Sequence, residues 1–215
     1  LEKVAYKPLR GAPRLSPLIS AIGMSIFLQN YVLLAQTSDY VPFPRLLPEM
    51  EFLDYLGNIM GPSDFLILVT STLAMVSLSL FIRYTRMGKA MRATAQNRKM
   101  ALLLGINADR IISLTFIVGS ALAALGGVLI ASHMGQVNFG IGFLAGLKAF
   151  TAAVLGGIGS IPGAMVGGLV LGIAESMTTG YLSGNYEDAL AFALLILILI
   201  FRPDGILGKA KVQKV

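Results

Sequence analysis

The chain has 215 residues, 55% hydrophobic and 13% charged, with a mean hydropathy of +0.76. Soluble domains carry roughly a quarter charged residues, which argues against a soluble enzyme or a disordered chain. Zero Cys and one His exclude disulfides, thiolate nucleophiles, Cys-based metal sites and multi-histidine metal sites.

The apolar residues fall into runs long enough to cross a bilayer, which takes about 20 residues at 1.5 Å each. Leu15 to Ser38 is the first predicted span and contains Gln29 and Asn30. A Pro-rich, acidic segment at 39–62 follows, where Pro42, Pro44 and Pro48 prevent a continuous helix. It reads as an external loop with a short surface helix near Glu49 to Gly57. Phe65 to Ile82 returns inward and meets Arg83. In the loop at 83–110, the stretch RMGKAMRATAQNRKMALLL from Arg86 to Leu104 reads as an amphipathic helix stopped by Gly105. Met87, Met91, Ala95 and Leu102 can share one face of it, with Arg92, Asn97 and Lys99 elsewhere. Such a helix suits a groove on a soluble partner or an anionic lipid surface, and periodicity does not separate the two. Ile111 to His133 is the third span, with Asn107 or Asp109 able to cap its start.

Residue 135 and the stretch 178–188 should both lie outside, so the apolar hairpin at 143–177 must cross twice or dip in and return. Ala189 to Phe201 then runs inward to Arg202. It is short, so it begins near Tyr186 or sits in a thinned bilayer.

The net charge of +6 resolves into blocks. Fifteen of the 17 basic residues lie in 2–14, 83–110 and 202–214, and seven of the 11 acids lie in the polar segments between those blocks, Glu175 being an eighth inside an apolar one. This positive-inside alternation places both termini and 83–110 in the cytoplasm. A nucleic-acid surface would need the basic blocks to converge, which the intervening spans prevent. Apolar runs spread over the whole chain leave no secretory signal to remove. The expected fold is an all-α polytopic membrane protein, one transmembrane domain over 1–215, with about four full spans plus a broken or re-entrant hairpin. The chain starts at Leu1, and its first residues read as the end of a cytoplasmic loop, so an upstream helical portion is expected to be missing.

GGIGSIPGA, Gly156 to Ala164, holds Gly156, Gly157, Gly159, Gly163 and Pro162 amid apolar residues. It reads either as two broken helices offering free N–H groups to a cavity or as a tight turn between packed helices, with Ser160 or Ile161 capping and Pro162 in the first turn. Small residues repeat at Gly142/Gly146, Gly163/Gly167 and Gly168/Gly172, a pattern that lets helix backbones approach closely in lipid. Lys148 and Glu175 are charged residues inside apolar segments. They can pair, line a path, or sit at membrane boundaries, the last being favoured for Glu175. Gln29 and Asn30 suit interhelical hydrogen bonds better than substrate contact, and His133 suits a membrane interface. No G-x-x-x-x-G-K-[ST] loop exists, so any ATP is consumed on another chain. No Ser/His/acid set is credible, and nothing argues for catalysis.

Four stretches together resemble a known family: VAYKPLRGAPRLSPLISAIGMSIFLQN, MRATAQNRKMALLLGIN, FLAGLKAFTAAVLGGIGSIPGA and LILIFRPDGILG. They resemble the permease of high-affinity branched-chain amino-acid ABC importers, and RATAQN with FLAGLKAF is similar to the H-type permease rather than the M-type. The family's amino-terminal helices, with a motif near INFAHG, are absent here. The resemblance implies a second permease subunit, two cytoplasmic ATP-binding subunits, an external or periplasmic binding protein, and delivery of leucine, isoleucine or valine across a bacterial inner membrane. It implies no cofactor on this chain, ATP being bound by the partners. It makes 86–104 the coupling element, with Ala95, Ala101 and Gly105 in its docking motif and Arg92, Gln96 and Asn97 as direct contacts. Gln29, Asn30, Lys148, Gly156, Gly157, Gly159, Ser160, Pro162 and Gly163 are the candidates for lining or bracing the path. Related permeases serve urea, short amides or other amino acids, and a stand-alone channel or secondary transporter is the reading from a different class.

Overall fold

A computed structural model describes residues 2, 6, 8–9, 15–36, 39–44, 62–157, 159–202 and 204–208. The surface helix expected near Glu49 to Gly57 and the bend at Pro48 lie outside the described residues. The chain divides into two compact units, Leu1–Ile141 and Gly142–Val215.

The first unit carries α1 (Leu15–Ala35), β1 (Val41–Pro42), α2 (Pro62–Tyr84), α3 (Arg86–Gln96), α4 (Arg98–Leu103), α5 (Ala108–Met134) and β2 (Gln136–Val137). The helices α1, α2 and α5 coincide with the first three predicted spans. Their side chains are apolar nearly all round and largely exposed, with 0% of the α2 window and 6% of the α5 window buried. Such a surface is stable in lipid rather than water. Asn107 caps α5 as expected, its side-chain oxygen accepting the Arg110 N–H at 3.1 Å. Gly135 ends α5 in the left-handed region at φ 68°, and Phe43 N–H donates to its carbonyl at 2.9 Å. The two-residue strands β1 and β2 pair antiparallel beside this point, Val41 opposite Val137. The segment after α1 is thereby tied to the end of α5.

The second unit holds α6 (Ile141–Gly156), α7 (Ile161–Tyr181), a 3₁₀ turn (Gly184–Tyr186) and α8 (Glu187–Phe201). Its core is Ala152, Leu171 and Ala191, one residue from each helix, with Leu194 packed on them. Small residues dominate because the three helices approach closely. The start of the last helix agrees with the expected onset near Tyr186.

Among the described residues, four segments are long and apolar enough to cross a membrane: Asp64–Tyr84, Ala108–Met134, Ile161–Tyr181 and Gly184–Phe201. They include the second, third and last predicted spans and one arm of the hairpin. The second hairpin arm qualifies, its 21 residues spanning about 31 Å. The first arm, α6, has 16 residues, about 24 Å, while α1, with 21 residues, is as long as the second arm. The hairpin is therefore asymmetric, one long arm and one short.

Candidate functional site

Three places gather the polar and glycine residues that the sequence singles out. In the first, at 85–110, the chain turns twice within a few residues. Thr85 caps α3, its hydroxyl oxygen accepting the Gly88 N–H at 3.0 Å. The single amphipathic helix expected over Arg86 to Leu104 is instead two helices broken at Asn97. The reason is local: Asn97 takes an extended backbone, φ −154° and ψ 104°, and its Oδ1 accepts from Lys99 N–H at 3.0 Å and Met100 N–H at 3.2 Å. An Asn side chain competes with the helical ladder in this way and favours a cap over the interior of a helix. Gly105, at φ 78°, does stop the second helix. Its N–H donates to Leu102 O and Ile106 N–H donates to Ala101 O, both at 3.0 Å, the paired bonds of a Schellman cap.

The break also changes the face. Met87, Ala95 and Leu102 are exposed, Met91 is half-buried, and the buried positions are Gly88 and Ala101. Met87, Met91 and Ala95 stand one turn apart on α3, while Leu102 belongs to α4. Arg92, Ala95, Gln96, Asn97 and Gly105 are all exposed, whereas Ala101 is 1% exposed and supports the corner from within. Arg92 Nη2 lies 3.5 Å from the Arg83 carbonyl near the end of α2. Arg98 pairs with Asp109 at 3.0 Å, tying α4 to the start of α5. Met100, Leu102, Leu103 and Leu104 form an exposed apolar patch between basic residues.

The second place is the hairpin turn. Ser160 caps α7, accepting the Gly163 N–H at 3.1 Å, and Pro162 lies in the first turn, both as expected. The glycines before and after it allow backbone against backbone. A Cβ on Gly156 would run into the Gly163 carbonyl, and one on Gly163 or Gly167 into the carbonyls of Gly156 or Ala152. Gly157, at φ 110°, lies against the chain that follows α8, where a Cβ would meet Gly208 N at 2.6 Å. Ile206 and Leu207 N–H donate to the Leu155 and Gly156 carbonyls at 2.9 and 3.0 Å, satisfying acceptors that the end of α6 leaves unpaired. Of the two readings left open by the sequence, the tight turn is the one formed, and it sits level with the end of α8. Gly163 with Gly167 makes the tight pair. Gly142, Gly146 and Gly172 face open space, and Gly168 makes only ordinary contact with Ala152.

Lys148 is the third place. Its ammonium is bonded to Glu187, and Glu175 and Asp188 each stand 3.4 Å away. Of the roles open to Lys148 and Glu175, pairing is the one realised, across α6 and α7, while Glu187 and Asp188 were missed as partners. The signal for them was the acidic first turn of α8, where the helix dipole favours negative charge. Three carboxylates on one lysine hold the three helices together away from the hairpin turn. Among the described residues no group of three or more His, Cys, Asp or Glu is arranged to hold a metal ion.

Of two smaller expectations, the first resolves differently and the second gains a partner. Asn30 Nδ2 donates to Ile26 O at 2.9 Å in its own helix rather than across helices, and Gln29 stands beside it half-buried. His133 Nδ1 lies 3.2 Å from Asp64 Oδ1, so the end of α5 meets the start of α2 at an exposed pair.

Comparison with known proteins adds a second line. A family model described as "Branched-chain amino acid transport system / permease component" matches residues 9–199. The chain is 55% identical, over its whole length and 71% of the relative, to the high-affinity branched-chain amino acid transport system permease protein LivH of Escherichia coli (strain K12). It is equally similar, with the same coverage, to the corresponding protein BraD of Pseudomonas aeruginosa. A more distant match is the autoinducer 2 import system permease protein LsrC of Yersinia enterocolitica, 33% identical over 62% of this chain and 38% of that one. No solved structure matches.

Proposed function

The chain belongs to the branched-chain amino acid transport permease family, and from that premise we propose that it is the membrane-spanning permease of an ABC importer. It moves leucine, isoleucine or valine into the cytoplasm, driven by ATP hydrolysis on separate subunits. The observation that carries this reading is identity of 55% along the entire chain to two permeases named for that transport. The partners are a second permease subunit, two cytoplasmic ATP-binding subunits, an external binding protein and the lipid bilayer, in a bacterial cytoplasmic membrane. Both ends of the segment face the cytoplasm, and 1–215 acts as one transmembrane permease domain.

In this reading the corner at 85–107 is the docking element. Arg92, Ala95 and Gln96, with the apolar patch at Met100 and 102–104, offer an ATPase subunit both charge and hydrophobic area. Asn97, Ala101 and Gly105 hold the shape of that surface through the cap, the buried methyl and the helix stop. Gly156, Gly157, Gly159, Ser160, Pro162 and Gly163 brace the path by fixing α6 against α7. Gln29, Asn30 and Lys148 supply polar groups along it. ATP binding closes the ATPase pair and favours one of two arrangements of the helices. A partner can shift such an equilibrium only by its difference in affinity for the two states.

The test is gentle detergent purification of the tagged protein from native membranes, with mass spectrometry of its companions and uptake competition in liposomes. Two ATPase chains, a second permease and competition by leucine, isoleucine and valine are expected. Well-folded protein that comes alone and still conducts solute would show a stand-alone channel instead. Competition by urea, short amides or other amino acids would keep the transporter and change its substrate.

A further inference from the structure

We infer that Lys148 and the three carboxylates around it form a sliding latch in the second unit. The latch joins the first half of α6 to the elbow between α7 and α8, and it opens while the hairpin turn at the other end stays shut. Glu175, Glu187 and Asp188, which the transporter reading leaves without a part, are its positioning residues. The use of the latch in transport rests on that reading and deepens it by naming where the unit opens.

The packing of this unit stops one turn short of the charges. Ala152, Leu171 and Ala191 form its core. Lys148, Glu175 and Glu187 each stand four residues away on the same helix, about 6 Å farther from the hairpin turn. Toward that turn α6 buries Thr151, Ala152, Val154, Leu155 and Gly156, whereas none of residues 141–150 is buried. Glycines there set backbone on backbone, and such a close-packed contact does not deform. At the charged end two bodies meet instead. Leu182 and Ser183 N–H both donate to Thr178 O, so a tight turn joins α7 to α8, and all three carboxylates sit on this elbow. Lys148 is the one charged residue of α6. Its ammonium is bonded to Glu187, while Glu175 and Asp188 at 3.4 Å lie beyond the usual charge-assisted bond of about 2.7–2.9 Å. An ammonium with rotatable donors on a flexible stem can trade one carboxylate for another as the elbow shifts. Beside it Leu147, Lys148, Thr151, Asp188 and Phe192 line a cavity of about 10 Å³ between α6 and α8, room for about one water. In the orientation proposed above, this end faces outside, where substrate arrives.

The chain has no Cys, so single introduced thiols report which end opens. In the purified complex in detergent, Thr151→Cys reports the charged end, because Thr151 lines the cavity and is 1% exposed. Val154→Cys, at a position 3% exposed, reports the hairpin end. The probe is N-ethylmaleimide, which is uncharged, and mass spectrometry reads the labelling rate at each position. Adding Lys148→Met should speed labelling of Thr151→Cys several-fold and leave Val154→Cys at its parental rate. Lys148→Arg keeps the cation and should hold both rates. If Lys148→Met does not assemble, Glu187→Gln decides, with a smaller rise expected. With Lys148 intact, ATP and vanadate should change the Thr151→Cys rate several-fold and not the Val154→Cys rate. Equal acceleration at both positions, the mark of a merely structural role, would overturn the latch. So would an unchanged Thr151→Cys rate in Lys148→Met, or one indifferent to ATP and vanadate in a complex that transports. A complex that shows the Lys148→Met effect but lacks ATP-driven uptake would overturn the transporter reading and leave the latch standing.

Discussion

The corner at 85–107 and the turn at 156–208 both bring helix ends together, and they do so with different chemistry. At the corner, side chains do it: Thr85, Asn97 and Asn107 each accept N–H groups that a helix start leaves free, and Arg98 reaches Asp109. At the turn, apart from Ser160, the main chain does it: Ile206 and Leu207 donate to α6 carbonyls some fifty residues earlier, and glycines allow the approach. Side-chain caps act within three residues and leave the surface around them exposed. Backbone contacts over a long separation leave no room for a Cβ at all. In the proposed transporter, a docking surface that yields to a partner suits the first arrangement, and a brace that does not yield suits the second.

The sharpest way to break this contrast is Gly157→Ala. It puts a Cβ at φ 110° and against Gly208, so the second unit should lose about 3 kcal/mol or more. The readout is thermal unfolding in detergent, and a parental melting curve would mean that the 204–208 segment does not lie on α6. Next in size is Lys148→Met, which leaves Glu175, Glu187 and Asp188 without their shared cation. Because these groups are only partly buried, about 2 kcal/mol is expected rather than the larger figure for a fully buried pair. Adding Glu175→Gln should recover part of it, and strict additivity of the two changes would show that they do not interact. The smallest effect is Asn97→Ala. It removes the cap of α4 at a cost of about 1 kcal/mol, seen as faster hydrogen exchange at Lys99 to Leu103. Unchanged exchange there would mean that the cap is dispensable, and the corner would then resemble the brace.

Much of this was legible beforehand. The spans at 65–82 and 111–133, the Asn107 cap, the Ser160 cap with Pro162 in the first turn, and the stop at Gly105 all follow from local rules of hydropathy and capping. The break at Asn97 was not, although Asn is a good cap. A helical pattern of apolar residues continues through it, and only the committed side chain shows that the ladder stops. The break also alters the phase between Met87 and Leu102, so Leu102 lies on a separate short helix from Met87, Met91 and Ala95. Thr85 went unnoticed because it stands after the last residue of a span, where a hydroxyl attracts no attention.

By itself the sequence determined the class of this protein, a helical membrane permease of a recognisable family. That follows because a bilayer imposes length and apolarity on each segment separately, and both are local properties. The partners of Lys148 and the glycines that touch backbone were decided only by the tertiary structure. Each of these depends on two segments many residues apart reaching the same level of the fold. Periodicity records which residues of a helix share a face, but not what that face meets.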